Sequence, residues 1–296
     1  MNLTQIFAEF LKKENLSNQK LLLLVSGGVD SIVLLDVSAK ICKKNNLEVL
    51  HFNHNTRKNC VQDFSLVEKL CKKYGVVFHG KSIPVIKKSD QENQWRKMRQ
   101  EISRDLANEI KADRILTAHH ATDLVETMIF RLTKGCGPSG LSPFNLETKP
   151  FWQVPKSEII NYAQENSLEW NEDKTNKKLI HDRNLIRHKV LPELRKITPN
   201  LEKVFVRESQ IFAGISEFLN HEISHKLESR EISLKDFLEL PFILQAELLR
   251  QISRKIPSGS ELNDCLKWLK QNPQGGSTKN IGGTELKLTK GKIVWS

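Results

Sequence analysis

The chain has 296 residues, a length that suggests about two domains, each able to bury a core. Its 46 Lys and Arg against 35 Asp and Glu leave a net charge of +11, a balance that disfavours acidic surfaces and points toward a polyanionic partner. A hydrophobic content of 39% with 13 Phe and 5 Trp excludes a disordered chain, and the longest apolar run, Leu21 to Val25, falls far short of the roughly 20 residues of a membrane-spanning helix.

The N-terminal stretch MNLTQIFAEFLKKENL spaces its apolar residues at helical intervals and lacks an uninterrupted apolar core, so it predicts an amphipathic helix and not a secretory leader. A soluble, cytoplasmic protein with no membrane partner is therefore expected. Short β-rich runs then alternate with helical patterns. LLLLV at 21–25 predicts a buried strand and 31–44 a helix ending in basic residues; LEVLHF at 47–52 is a strand, about 62–74 a helix, VVFHG at 76–80 a strand, about 90–110 a helix, RILTAH at 114–119 a strand and about 123–134 a helix. Strands separated by helices of this length imply right-handed crossovers, and hence an α/β fold with a parallel, Rossmann-like sheet flanked by helices. Ligands of such sheets bind at the carboxyl ends of the strands, so the loops after Val25, Phe52, Gly80 and His119 are expected to line one cleft.

Beyond Lys134 a turn-rich stretch, GCGPSGLSPFN then PFWQVPK, leads to helical patterns near 156–166 and 184–196. The first domain is placed at 1–200. The second, 201–296, carries helical patterns at about 203–227, 242–254 and 260–271 and ends in a β-hairpin around Lys290-Gly291, a smaller and mainly helical unit. The five cysteines, Cys42, Cys60, Cys71, Cys136 and Cys265, are scattered and never form C-x-x-C, which argues for reduced structural thiols over a disulfide framework, a zinc site or an iron–sulfur site. Between Lys174 and Arg207 ten basic residues stand against three acidic ones, either a nucleic-acid-facing patch or a solvated helix face.

The strongest chemical signal is SGGVDS, Ser26 to Ser31, between a buried strand and a helix. Adjacent glycines let the backbone approach a phosphate, Ser26 and Ser31 add hydroxyl donors, and the following helix offers free N–H groups and the positive end of its dipole. Asp30 would repel phosphate by itself, so its natural use is through a bridging Mg²⁺. The hexapeptide lacks the Lys of a Walker A motif and the third glycine of a dinucleotide fingerprint. It resembles the PP-loop, S-G-G-x-D-S, of the N-type ATP pyrophosphatases, which implies that Ser26, Gly27, Gly28, Val29, Asp30 and Ser31 bind ATP and that AMP is transferred to an oxygen of the substrate.

A second constellation lies in RILTAHHATDLVET, where Asp123, Glu126 and Thr127 share one helix face at spacings of i, i+3 and i+4, just after His119 and His120. On spacing alone, Thr122 with first-turn acids also reads as an ordinary helix N-terminus. The run TAHHATDLVETMIFRLTKGCGPSGL closely resembles the A-H-H-x-x-D-x-x-E-T and R-G-x-G-x-x-G-L patterns of tRNA(Ile)-lysidine synthetases, with Thr122 where an Asp is common and Lys134 where Arg is. FNHNTR at 52–57 is similar to that family's N-H-x-L-R, and Trp95 to Gln100 to its A-R-x-x-R-Y. The stretch from Lys149 to Leu194 looks like its P-K-x-E-I, W-x-x-D-x-[ST]-N, R-N-x-I-R and L-P-x-L. The resemblance covers roughly residues 20–200; beyond it the likeness is to the family's small helical domain, and 296 residues lead us to expect a short form without the further C-terminal domain of larger members.

The resemblance implies ATP-dependent joining of L-lysine to C2 of the wobble cytidine of an isoleucine tRNA with a CAU anticodon, through an adenylated cytidine. Asp30 then holds the metal, Asp123 and Glu126 bind lysine or help deprotonate it, and Arg96 and Arg99 contact phosphate or the cytosine oxygen. His54, Arg57 and His120 are expected on the substrate side; Arg183 and Arg187, spaced i, i+4, either grip the anticodon-stem backbone or pack structurally. Trp95, Trp152 or Trp170 is a candidate to stack on an unstacked base or belongs to the core. A PP-loop tRNA thiolase and a non-catalytic RNA-binding module are the alternatives; the first usually needs paired cysteines, and the second leaves SGGVDS and HHATDLVET unexplained.

Overall fold

In a computed structural model of the chain, which describes residues 2–53, 60–83, 91–171, 182–271 and 276–296, the apolar runs of the first half form one parallel sheet. Helix α1 (Leu3–Lys13) precedes strand β1 (Leu21–Leu24), and α2 (Val29–Ile41), β2 (Leu47–Asn53), α3 (Cys60–Tyr74), β3 (Val77–Ser82), α4 (Gln91–Glu109) and β4 (Arg114–Leu116) follow in strict alternation. The strand order is β3-β2-β1-β4, with Leu21 opposite both Leu47 and Arg114, so β1 is interior and Leu21, Leu22 and Leu23 are flanked by strands on both sides. Its all-apolar composition is the consequence of having both faces covered. The core around it includes Phe7, Leu21, Leu23, Ile32, Leu34, Leu35, Val49 and Phe151. Strand β4 is shorter than its apolar pattern predicts because the Thr117 N–H turns away to the carbonyl of Thr148 at 2.9 Å.

Helix α5 (Ala121–Lys134) leads through the short α6 (Pro138–Leu141) to α7 (Lys156–Glu165), which packs on α2. A buried polar cluster joins three helices here: the Asp36 carboxylate accepts from the Tyr74 and Tyr162 hydroxyls, each at 2.7 Å, and pairs with Lys40 at 2.8 Å. The helix expected near 184–196 is α8 (Asp182–Leu185), a π-turn at Ile186–Val190 and α9 (Leu191–Ile197) in succession. The widened turn precedes Pro192, which has no N–H with which to continue the regular ladder.

The chain divides into two compact units, Met1–Thr127 with Phe144–Val206, and Met128–Pro143 with Arg207–Ser296, the boundaries falling inside α5 and inside α10 (Leu201–Ser229). The second unit adds β5 (Glu231–Ser233), α11 (Leu234–Glu239), α12 (Phe242–Ile252), α13 (Gly259–Lys270), β6 (Thr278–Ile281), β7 (Thr284–Thr289) and β8 (Lys292–Trp295). Its sheet is antiparallel, in the order β5-β8-β7-β6, around a core of Ile223, Phe237, Leu249, Leu266, Leu286 and Ile293. The expected terminal hairpin is β7–β8, turning on Lys290 and Gly291 with φ of 49° and 74°, the left-handed pair that suits the twist of two strands. Strands β5 and β6 extend it to four strands. No described helix is long and apolar enough to cross a membrane.

Cys42, Cys71, Cys136 and Cys265 are free thiols. Burial pushes Cys42 and Cys265 up to about 11 and Cys71 up to about 12, far from nucleophilic range.

Candidate active site

The loop after β1 runs directly into α2, whose first helical residue is Val29, so Val29, Asp30 and Ser31 form the first helical turn and not a separate loop. Gly28 is the N-cap and has no side chain with which to cap it, leaving the first N–H groups of α2 without an intrahelical acceptor. The Ser31 hydroxyl accepts from the Ser26 N–H at 3.0 Å, donates to the Gly28 carbonyl at 2.9 Å and lies 3.1 Å from the Ser26 hydroxyl, closing the loop on itself.

From this turn Asp30 meets residues of two other elements. The Lys156 ammonium, from the first turn of α7, donates to both Asp30 oxygens. His120, just before α5, places Nε2 at 3.6 Å from Asp30 Oδ1 and 3.4 Å from Asp123 Oδ2. His120 Nδ1 accepts from the Asp123 N–H at 3.3 Å, and Asp123 Oδ2 accepts from the His120 N–H at 3.1 Å. This reciprocal cap leaves the ring proton on Nε2, facing the two carboxylates. Asp123 and Glu126 lie on one face of α5, as their spacing predicts, and Arg187 from the π-turn reaches both. Arg187 grips Glu126 with two parallel bonds of 2.6 and 2.8 Å and approaches Asp123 Oδ1 at 3.5 Å. The Glu126 side chain is only 4% exposed, whereas that of Asp123 is 24% exposed. Its hydrogen bonds to Glu126, then the charges of Glu126, Asp123 and Asp30, hold the Arg187 guanidinium above its ordinary range despite burial.

The entry to α5 is fixed by a buried relay. The Thr122 hydroxyl donates to Glu202 Oε1 at 3.1 Å and accepts from the Lys156 N–H at 3.4 Å, and Glu202 Oε1 also takes Arg195 Nη2 at 2.5 Å. Burial pushes the Glu202 carboxyl up, but the bonds from Arg195 and Thr122 outweigh it and hold the group below the usual carboxylate range. Thr122, standing where the resembled pattern often has Asp, is here a hydrogen-bond donor to a carboxylate.

The structure thus brings together Asp30, His120, Asp123, Glu126 and Arg187, with Ser26 to Ser31 beside them. Arg183 joins at the margin, its Nη2 3.5 Å from Thr127 Oγ1. Arg96 is exposed on α4; Lys149 is held below its ordinary range first by burial and then by the charge of Arg96. Arg99 is half-buried, its Nε donating to the Trp95 carbonyl at 3.4 Å. Trp152 is buried and Trp170 packs against the core of the sheet. His54 and Arg57, like Lys174, Lys177 and Lys178 of the basic stretch, lie outside the described residues. Among the rest of that stretch Arg187 is committed to Glu126, Arg195 to Glu202, Lys196 to Glu193 and Arg207 to Glu208, while Arg183, Lys189 and Lys203 are exposed.

Lys156 is a residue of the site to which the sequence reading assigns no role, although it lies in the resembled P-K-x-E-I pattern. Its ammonium is 126 positions from Asp30, and the packing of α7 on α2 makes them neighbours. Among the described residues no group of three or more His, Cys, Asp or Glu is arranged to hold a metal ion alone.

A family model described as a PP-loop domain matches residues 1–194. The tRNA(Ile)-lysidine synthase of Petrotoga mobilis is 33% identical to this chain, over 95% of the chain and 94% of that protein. The tRNA(Ile)-lysidine synthase of Aster yellows witches'-broom phytoplasma is 32% identical over 79% of the chain, which spans 56% of that longer relative. Among solved structures, the U34-tRNA thiolase NcsA from Methanococcus maripaludis superposes with a TM-score of 0.60 over 71% of this chain and 78% of that one, at 16% identity, a likeness of fold.

Proposed function

Because the chain belongs to the tRNA(Ile)-lysidine synthase family of PP-loop proteins, we propose that it joins L-lysine to C2 of the wobble cytidine of an isoleucine tRNA with a CAU anticodon, consuming ATP and releasing AMP and pyrophosphate. The observation that carries this reading is the meeting of a phosphate loop with a histidine and two helix-borne carboxylates, linked through Asp30, His120, Asp123 and Glu126.

The chemistry asks for two steps. The carbonyl at C2 is a weak electrophile with a poor leaving group. Its oxygen first attacks the α-phosphorus of ATP, forming an O–P bond as the bond to pyrophosphate breaks. An amine of lysine then forms a bond to C2, and the C2–O bond breaks to release AMP. Ser26 to Ser31 and the free N–H groups of α2 hold the phosphates in line, and Lys156 supplies the cation that the loop's own sequence lacks. Asp30, whose two oxygens accept from Lys156 when no ion is bound, would be the carboxylate that holds Mg²⁺, which would neutralise charge on the pyrophosphate.

The two α5 carboxylates differ in what they can do. Glu126 is buried and fully engaged by Arg187, so it positions that guanidinium. Asp123 is the more exposed, and its contacts with Arg187 and His120 Nε2 are longer, which leaves it able to take a lysine ammonium and receive its proton. His120 holds Asp123 in place. Part of the positive surplus serves the tRNA backbone, and the second unit is the expected contributor to tRNA recognition.

The test is incorporation of labelled lysine into unmodified tRNA(Ile) of CAU anticodon in the presence of ATP and Mg²⁺. Incorporation is expected with the native chain, and its loss in Asp123→Asn with ATP binding retained. Folded, ATP-binding protein that transfers no lysine would overturn the reading.

A further inference from the structure

The carbonyls of Val25, Gly27 and Gly28 are taken up by protein groups, and two of those groups come from far along the chain. The Val25 carbonyl accepts from His51 Nδ1 at 2.8 Å, on the buried face of β2. The Gly27 carbonyl accepts from the Asn171 N–H at 3.1 Å, and the Gly28 carbonyl from Ser31 Oγ and the Ile32 N–H. With these acceptors committed, the α2 N–H groups are what this stretch offers to a ligand.

A further pair braces the same point. Asn171 Nδ2 donates to Asp63 Oδ1 at 2.8 Å, and the Asp63 side chain lies directly against Gly27, where an added Cβ would sit 3.2 Å from Asp63 Cβ. Gly27 holds φ at +92°, a conformation L side chains rarely adopt, so a larger residue there is strained by its backbone angle and crowds Asp63 as well. Asp63 is also close enough to act on the His51 ring, whose pKa burial lowers while the Val25 bond and the Asp63 charge oppose it. The bond from Nδ1 to a carbonyl fixes the tautomer with the proton on Nδ1.

We infer that Asp63 and Asn171, together with His51, are positioning residues of the phosphate loop: they hold Val25 and Gly27 so that the loop is preformed for a nucleoside triphosphate. Each acts through the Val25 or Gly27 carbonyl or through Asp63. The inference rests on the reading of this loop as the ATP site. A preformed loop binds without ordering itself first, so loosening the clamp weakens ATP binding while leaving sites for other substrates intact.

The pair is reciprocal, which gives a specific test. In Asn171→Asp two carboxylates face each other across the clamp, and in Asp63→Asn/Asn171→Asp an amide faces a carboxylate again with the partners exchanged. Mg–ATP affinity is measured by calorimetry, alongside the KM values for ATP and lysine and thermal unfolding. Asn171→Asp is expected to weaken Mg–ATP binding and raise the ATP KM about tenfold or more, with the lysine KM within about threefold of native; the exchanged pair restores ATP binding to within about threefold. Should Asn171→Asp not fold, Asn171→Ala, which keeps its main-chain donor and only releases Asp63, carries the same expectation. Native Mg–ATP affinity in a folded single variant, or ATP and lysine KM values that rise together, overturns the clamp. Failure of the native chain to bind Mg–ATP overturns the nucleotide reading itself.

Discussion

Removing Arg187 while leaving Glu126 isolates the cost of an unpaired carboxylate at the centre of the site. Glu126 has a side chain 4% exposed and receives two bonds from Arg187, at 2.6 and 2.8 Å. Breaking a buried ion pair by deleting one partner costs about 3–5 kcal/mol, because the remaining charge keeps its desolvation penalty. Arg187 itself is 37% exposed, so water reaches part of the pair and the expected cost of Arg187→Met falls to about 2–3 kcal/mol. For a domain of 150–250 residues that corresponds to a drop in Tm of roughly 5–10 °C. Glu126→Gln should cost less, since the guanidinium left behind can turn to solvent. The double variant should be more stable than Arg187→Met alone, because Gln against Met leaves no buried charge. Thermal unfolding of the four proteins by circular dichroism, combined as a double-mutant cycle, measures the coupling. Equal losses in the two single variants, or a native Tm in Arg187→Met, would refute the assignment of Glu126 as a buried charge held by Arg187.

Two further outcomes follow from the same electrostatics. Thr122→Asp sets a carboxylate against Glu202 in place of a donor and is expected to destabilise by about 1–3 kcal/mol, with Glu202→Gln in the same chain recovering most of it; urea unfolding of the two variants checks this, and additive losses would contradict it. Glu48 and Glu202 both titrate below their ordinary range: burial raises each, but Lys20 and His79 outweigh it at Glu48, as Arg195 and Thr122 do at Glu202. Their folded-state pKa values lie below the unfolded value near about 4.3, so the stability they contribute is complete above that pH and is lost as pH falls through the folded values; Tm measured from pH 7 to pH 3 should fall below about pH 4.5, less steeply in Glu48→Gln, and an unchanged slope in that variant would count against the Glu48 ion pairs.

Much of the first unit is legible because its signals are local. Four leucines and a valine read as a central strand since only a strand covered on both faces is apolar at every position, and Asp123 and Glu126 fall on one helix face because i, i+3 spacing dictates it. The glycine pair and the following helix likewise announce a phosphate loop from six adjacent residues. Even so, the helix begins two residues earlier than its apolar pattern suggests, at Val29, directly after the uncapped Gly28. The spacing of Arg183 and Arg187 says that they share a face but not what that face meets; the pairing of Arg187 with Glu126 depends on where the π-turn before Pro192 lies.

By itself, the sequence determined the alternation of strand and helix, the phosphate loop, the acidic face of α5 and, through ordered motifs, the family. Tertiary structure alone decided which charges neutralise which. Lys156 meets Asp30 across 126 positions, Asn171 reaches Asp63 across 108, and Thr122 donates to Glu202 across 80. It also grouped residues 128–143 with the second unit, where Gly137 leaves room for the Arg250 guanidinium within 2.7 Å of where a Cβ would stand. The physical reason is common to all of these: hydrophobic periodicity and turn chemistry act over a few residues and are written in order, whereas an ion pair or hydrogen bond between distant segments exists only once packing has set the distance and excluded the water that would otherwise satisfy both partners.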